Sequence, residues 1–241
     1  RRAAWLNARL MAAELAALGI NVDCAPVLDL PVAGADDVIG DRAFAADSAT
    51  MTELGRAACE GFLAGGVLPV IKHIPGHGRA LADSHQELPA VSERRDLLEE
   101  TDFAPFRNLA DMPAAMTAHI LYRAVDAQLP ATTSPVVIED IIRGAIGFDG
   151  LLMTDDLSMG ALDGSLSDRA RQSLAAGCDV ALHCNGDMLE MEAVRAGART
   201  LDDKGSRRLE RALAAIAGGP EEFDAAAGLA ELESLLGSAG A

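Results

Sequence analysis

Aromatic side chains make up only 3% of the 241 residues, too few for an aromatic-rich binding surface. Ala, Leu and Gly dominate instead, as suits tightly packed helices and strands. Positive charge is also short: 20 Lys and Arg stand against 37 Asp and Glu, a formal net charge of −17. Such a surface repels phosphate backbones and anionic lipid, which argues against nucleic-acid and membrane partners and for a small or neutral ligand. No apolar run approaches the roughly 20 residues that cross a bilayer. The four cysteines, Cys24, Cys59, Cys178 and Cys184, show no CxxC spacing and read as structural thiols of a reduced, cytoplasmic protein. No GxGxxG follows an expected strand, and neither HxH nor HExxH occurs. Dinucleotide and common zinc-hydrolase signatures are therefore both missing.

At 50% apolar the chain can bury one sizeable core, and its length is that of a single α/β barrel domain. Apolar residues at helical spacing from Trp5 to Leu18 predict a helix stopped by Gly19. "INVDCAPVLDLP", residues 20 to 31, reads as a buried strand ending in Asp29 and Pro31, and a helix capped by Ser48 or Thr50 follows to about Leu63. Further apolar strands are "GGVLPVIKHIPGHG", "PAAMTAHILY", "FDGLLMTDDL" and "GCDVALHCN". From Met188 the pattern is helical, and the Ala/Gly/Glu-rich stretch from about residue 219 reads as peripheral. Strands that are apolar throughout and alternate with helices predict a parallel sheet covered on both faces. The expected fold is thus α/β, a (β/α)8 TIM-type barrel, with an open doubly wound sheet as the competitor. Five strands are visible where such a barrel needs eight, and the first visible element is a helix. The expectation is one barrel domain over residues 1–241, truncated at its N-terminus.

A barrel of this kind builds its active site at the C-terminal strand ends, so the polar residues there are the candidates. Asp155 ends a buried strand, a costly place for a carboxylate without a partner or a task. Its neighbour Asp156 suits a helix cap, although alternation alone does not say which of the two points inward. Asp155 could be the nucleophile of a retaining glycosidase, whose second group must give and take a proton near working pH. Histidine has such a pKa unperturbed, and Asp83 with His85 could form a hydrogen-bonded pair that fixes the tautomer. Lys72 and His73 end their strand where they can donate to sugar hydroxyls, and Arg42 could add a charged donor. Gly76 and Gly78 permit a tight turn or a close backbone approach. The competing reading is a metal site formed by His73, His77, His85, His119 and Asp155, with Lys72 as an ill-fitting cation beside it.

The stretch "KHIPGHGRALADSHQELP", with "VIGDRAF" before it and "GLLMTDDLSMGAL" after it, resembles the β-N-acetylglucosaminidases of glycoside hydrolase family 3, especially the bacterial β-hexosaminidases of peptidoglycan recycling. "APVLDL", "DFAPF" and "MTAHI" extend the resemblance in order through nearly the whole chain. It implies a retaining mechanism on a barrel, release of terminal β-linked N-acetylglucosamine from muropeptides or chitin-like fragments, and no metal or organic cofactor. Asp155, the first acidic position of "DDLSM", would be the nucleophile, His85 the acid/base and Asp83 its partner. Arg42, Lys72 and His73 would bind the sugar, and His119, near the site, would be a further substrate-binding residue. A "DxEGG"-type segment of the family's early strands has no counterpart, so the chain as given is expected to be unstable or inactive. An inactive sugar-binding barrel remnant and a phosphorylase variant are the other readings.

Overall fold

Side chains alternate across a strand, and the longest strands here are apolar on both faces, so each face of the sheet must be covered. The computed structural model describes residues 1–239. Its strands are β1 (Val22–Asp23), β2 (Leu68–Ile74), β3 (Ala90–Val91), β4 (Ala114–Thr117), β5 (Leu121–Tyr122), β6 (Leu151–Asp156) and β7 (Val180–Leu182). Five of them form an all-parallel sheet in the order β1-β2-β4-β6-β7, while β3 and β5 make a separate parallel pair. The sheet is curled into a half-barrel: the Cys184 thiol, beyond β7, lies within electrostatic reach of Cys24, beyond β1 at the opposite edge. The segment after β1 keeps pairing with β2, since Leu28 N–H donates to the Lys72 carbonyl and Lys72 N–H to that of Pro26. Pro26 has no N–H to give, which is why the strand expected over residues 20 to 31 is recognisable as regular strand only at its start.

The helices are α1 (Arg2–Ala17), α2 (Ser48–Ala64), α3 (Arg95–Glu100), α4 (Ala104–Asn108), Val137–Ala145, α5 (Leu166–Ala176), α6 (Met188–Gly197), α7 (Asp203–Ala214) and α8 (Ala225–Ala239). α2 is capped by Asp47, whose carboxylate accepts Thr50 N–H at 2.9 Å, rather than by Ser48 or Thr50. On the outer face of the sheet, Ile71, Ala115 and Leu152 pack against Phe103, Phe106, Ile138 and Ile142 in the largest apolar cluster. On the inner face, Leu68, Val70, Ala114, Met116 and Leu151 meet Leu209, Ala212 and Ile216. α7 thus closes the lower part of the half-barrel. Below it, Asp179 receives Arg143 at 3.1 Å and Arg208 at 3.2 Å, bracing the start of β7 against α7. The stretch after residue 219 lies against α1, where Arg9 donates to the Glu221 carbonyl at 2.6 Å and Arg2 pairs with Glu231 at 2.7 Å.

Two irregularities set up the rim. Between Lys72 and Ile74 the register of β2 on β4 gains one residue, and between Met153 and Asp156 β6 gains one on β7. A bulge of this kind re-aims side chains. Strict alternation would send His73 outward with Ile71; the extra residue lets it share the inner rim with Lys72. Beyond β2 the chain turns through Gly76, at φ 141°, and passes the preceding rim segment so closely that a Cβ on Gly78 would lie 1.9 Å from the Leu30 carbonyl oxygen. The Tyr122 hydroxyl donates to the Gly76 carbonyl, and Arg79 pairs with buried Asp102 at 2.6 Å. Gly78→Ala is expected to cost about 1–3 kcal/mol through this overlap. Urea unfolding at neutral pH checks it, since a wild-type midpoint would mean that the loop can leave Leu30 without penalty.

Candidate active site

Asp29 follows the strand pairing of β1 and is fully buried. A carboxylate there must be met by donors. It accepts the His73 ring at 2.6 Å through Nδ1, the His73 backbone N–H at 3.2 Å and the His77 backbone N–H at 2.6 Å. Burial works to raise its pKa, but the charge and hydrogen bond of His73 and the amide of His77 outweigh it and hold the carboxyl below its usual range. With Nδ1 committed to Asp29, His73 presents Nε2 to Asp155, 3.7 Å from Oδ2. The side chain of Asp155 keeps 16% of its surface exposed, enough for a ligand to reach it.

The ambiguity between Asp155 and Asp156 resolves by hydrogen bonding. Asp156 accepts Ser158 N–H at 3.0 Å and the Ser158 hydroxyl at 2.6 Å, closing the turn after β6. Asp155 accepts only the N–H of its neighbour, at 2.8 Å. Lys72 is half-buried on the same inner face, and its charge is felt by Asp23, Cys24 and Cys184. His119 sits differently from the sugar-binding position expected for it, because it is fully buried. Its Nε2–H donates to the Asp156 carbonyl at 3.0 Å, and Nδ1 accepts the Thr132 hydroxyl at 2.7 Å, which in turn accepts that of Thr117 at 2.8 Å. Burial lowers its pKa and keeps it neutral, as that donor pattern requires. It steadies the end of β6 from behind. Arg42 is exposed, in the turn Gly40–Arg42, and donates to the Val38 carbonyl of its own loop.

Asp83 and His85 do pair, through Asp83 Oδ1 and His85 Nδ1 at 2.7 Å, and the same oxygen accepts His85 N–H at 2.9 Å. Those two hydrogen bonds, backbone first, pull the Asp83 carboxyl down to about 2. The His85 side chain is 62% exposed, with Nε2 left free. Between the pair, Ser84 turns inward and its hydroxyl meets His77 Nε2 at 2.9 Å. Of the five groups in the competing metal reading, His119 spends both nitrogens, His77 spends one on Ser84, and His85 stands in solvent. Among the described residues no group of three or more His, Cys, Asp and Glu is arranged to hold a metal ion.

Sequence reasoning passed over Asp29, Ser84 and Thr132. Asp29 carries the same signal as Asp155, an acidic residue closing an apolar strand, and could have been found by it. Ser84 and Thr132 lie in irregular segments, where no periodicity marks an inward side chain.

Burial lowers the pKa of His77 from 6.5 to about 4. The unfolded chain therefore binds this proton at a higher pH than the folded one. Stability from this source is full above the unfolded value of 6.5 and is lost as the pH falls to about 4. The loss is about 3 kcal/mol. Denaturation at pH 7 and pH 4 should show it in the wild type and much less in His77→Gln; an equal drop in both would assign the acid sensitivity elsewhere.

Residues 3–216 match the family model described as the glycosyl hydrolase family 3 N terminal domain. The β-hexosaminidase of Alkalilimnicola ehrlichii is 45% identical over 198 residues, which cover 80% of this chain and 55% of that protein. That of Thiobacillus denitrificans is 44% identical over 191 residues, 77% of this chain and 52% of that protein. The chain spans about half the length of these curated relatives. Among solved structures, NagZ from Neisseria gonorrhoeae in complex with N-trifluoroacetyl-D-glucosamine superposes with a TM-score of 0.82 at 34% identity, covering 97% of this chain and 69% of that one. A family 3 β-N-acetylglucosaminidase from a Paenibacillus strain gives 0.81 at 34% identity, covering 92% of this chain and 45% of that one. With a family match that runs from α1 to just beyond α7, this chain belongs to glycosyl hydrolase family 3.

Proposed function

We propose that the protein is a retaining exo-β-N-acetylglucosaminidase that releases terminal β-linked N-acetylglucosamine from muropeptides or chitin-like fragments. The observation that carries this reading is Asp155: an inward carboxylate with a single hydrogen bond, beside His73, at the end of a central strand. In the first step Asp155 attacks the anomeric carbon while His85 Nε2–H protonates the departing oxygen, leaving a glycosyl-aspartate ester. In the second, His85 takes a proton from water, which displaces Asp155 and restores both groups. Asp83 suits its part because its carboxyl, at about 2, stays ionised across the working range and holds Nδ1–H. Arg42, Lys72 and His73 are the proposed sugar-binding groups, with Arg42 having to leave the Val38 carbonyl to take part. His119 is proposed as a positioning residue behind β6.

The substrate class is supported by the names of the relatives and by the N-acetylglucosamine analogue held by the Neisseria structure. The cytoplasm is the proposed compartment, in keeping with four free cysteines. Turnover of an aryl β-N-acetylglucosaminide by the full-length protein, with chelator present, tests the reading. Asp155→Ala should lose at least about 10³-fold in kcat, and His85→Ala about 10²- to 10⁴-fold. Turnover that survives Asp155→Ala, or that vanishes on adding chelator alone, would overturn it.

A further inference from the structure

His77 is an uneconomical residue to bury. It is 2% exposed, its Nδ1 has no hydrogen-bond partner, and its ring resists protonation. An unsatisfied buried polar atom is destabilising, and an apolar side chain of similar shape would avoid that cost. The ring makes one hydrogen bond, from Nε2 to Ser84 Oγ at 2.9 Å. Ser84 is the one buried residue between Leu81 and Leu88. The rest of that loop, including Asp83 and His85, reaches into solvent or toward the rim. Its backbone is tied at two further points, both to the segment after Asp155: Gly160 N–H donates to the His85 carbonyl at 3.0 Å and Ala161 N–H to that of Ser84 at 3.2 Å. The other end of the chain of contacts is Asp29, which holds the His77 backbone with one oxygen and the His73 ring with the other.

We infer that the buried hydrogen-bonded path Asp29–His77–Ser84 is a latch that fixes where the Asp83–His85 loop stands relative to Asp155, making His77 and Ser84 positioning residues for leaving-group protonation. The inference rests on the roles proposed above for His85 and Asp155. The path begins on the carboxylate that orients His73 toward the nucleophile and ends on the residue between the two members of the proton-transferring pair. Cutting it at Ser84 removes the side-chain hydrogen bond that ties the loop to His77, without touching Asp155, His73 or His85. A displacement of about 1 Å at a reacting group costs on the order of 10²-fold in rate. The cost falls on the step that needs the proton: an alkyl leaving group needs it, and a dinitrophenyl leaving group does not.

The test compares Ser84→Ala with the wild type in two ways on the full-length protein. Amide hydrogen exchange reads Gly160 and Ala161, whose protection should fall at least about tenfold, while that of the central β2 and β4 amides is kept. Kinetics read an alkyl and a 2,4-dinitrophenyl β-N-acetylglucosaminide, and the variant should lose at least about ten times more turnover on the alkyl substrate. Unchanged exchange at Gly160 and Ala161 overturns the latch, and so do equal losses on the two substrates, which would make the contact merely structural. His85→Ala is run beside it. If that variant shows no leaving-group bias, the acid/base role of His85 fails, while the exchange result still decides whether the latch holds the loop. Should Ser84→Ala not fold, Ser84→Cys, nearly isosteric with a weaker hydrogen bond, carries both measurements with smaller effects in the same direction.

Discussion

One buried carboxylate organises the rim. Asp29 has no solvent to turn to, so its lone pairs must be met from within, and every donor it finds comes from the end of β2 or the loop just beyond. Two segments that are far apart in sequence are brought to one point: the rim after β1, and the end of β2 with its bulge at His73 and turn at His77. Because a buried charge that loses its partners is penalised by several kcal/mol, the arrangement acts as a unit, and His73 can face Asp155 in only one way. The close passage of Gly78 over Leu30 and the Tyr122 bond to Gly76 are the packing conditions under which that unit closes.

The two ends of the half-barrel are stabilised by different means. At the strand starts, Arg143, Arg208, Asp149 and Asp179 form a charge network that includes the Leu152 amide and ties α7 to β6 and β7. At the strand ends, buried histidines fill spaces where carbon would pack better. Burial lowers the pKa of both His77 and His119, each of which makes neutral hydrogen bonds. The rim thus accepts cost for placement.

Much of this was legible in the sequence. Apolar strands alternating with helices gave a parallel α/β sheet, and polar strand ends marked Lys72, His73 and Asp155 as rim residues. The register slips were not legible, because alternation assumes an unbroken pleat, and it is the slip at His73 that puts this side chain beside Asp155. The choice between Asp155 and Asp156 was within reach: an aspartate with Ser158 two residues on is the pattern of an Asx turn, and that turn is what occupies Asp156. His119 shows the limit of motif reasoning. A residue type at a rim says what chemistry is available, whereas burial and competing partners decide whether it is free. The role of α7 as cover for the inner face was also hidden, since its few apolar residues, such as Leu209 and Ala212, look the same whichever surface they meet.

Three histidines occupy one loop and its strand, yet they belong to different worlds of proton exchange. His73 and His77 are walled off from water, while the ring of His85 stands 62% in it. A group so placed needs no interior wire of side chains or trapped waters to reload after it has given up a proton. Bulk solvent and dissolved buffer reach it directly, and the supply of protons is as fast as diffusion in water allows. The insulated pair keep their hydrogen bonds inside the protein while the third ring meets water, so a single short stretch of chain holds imidazoles in two opposite environments.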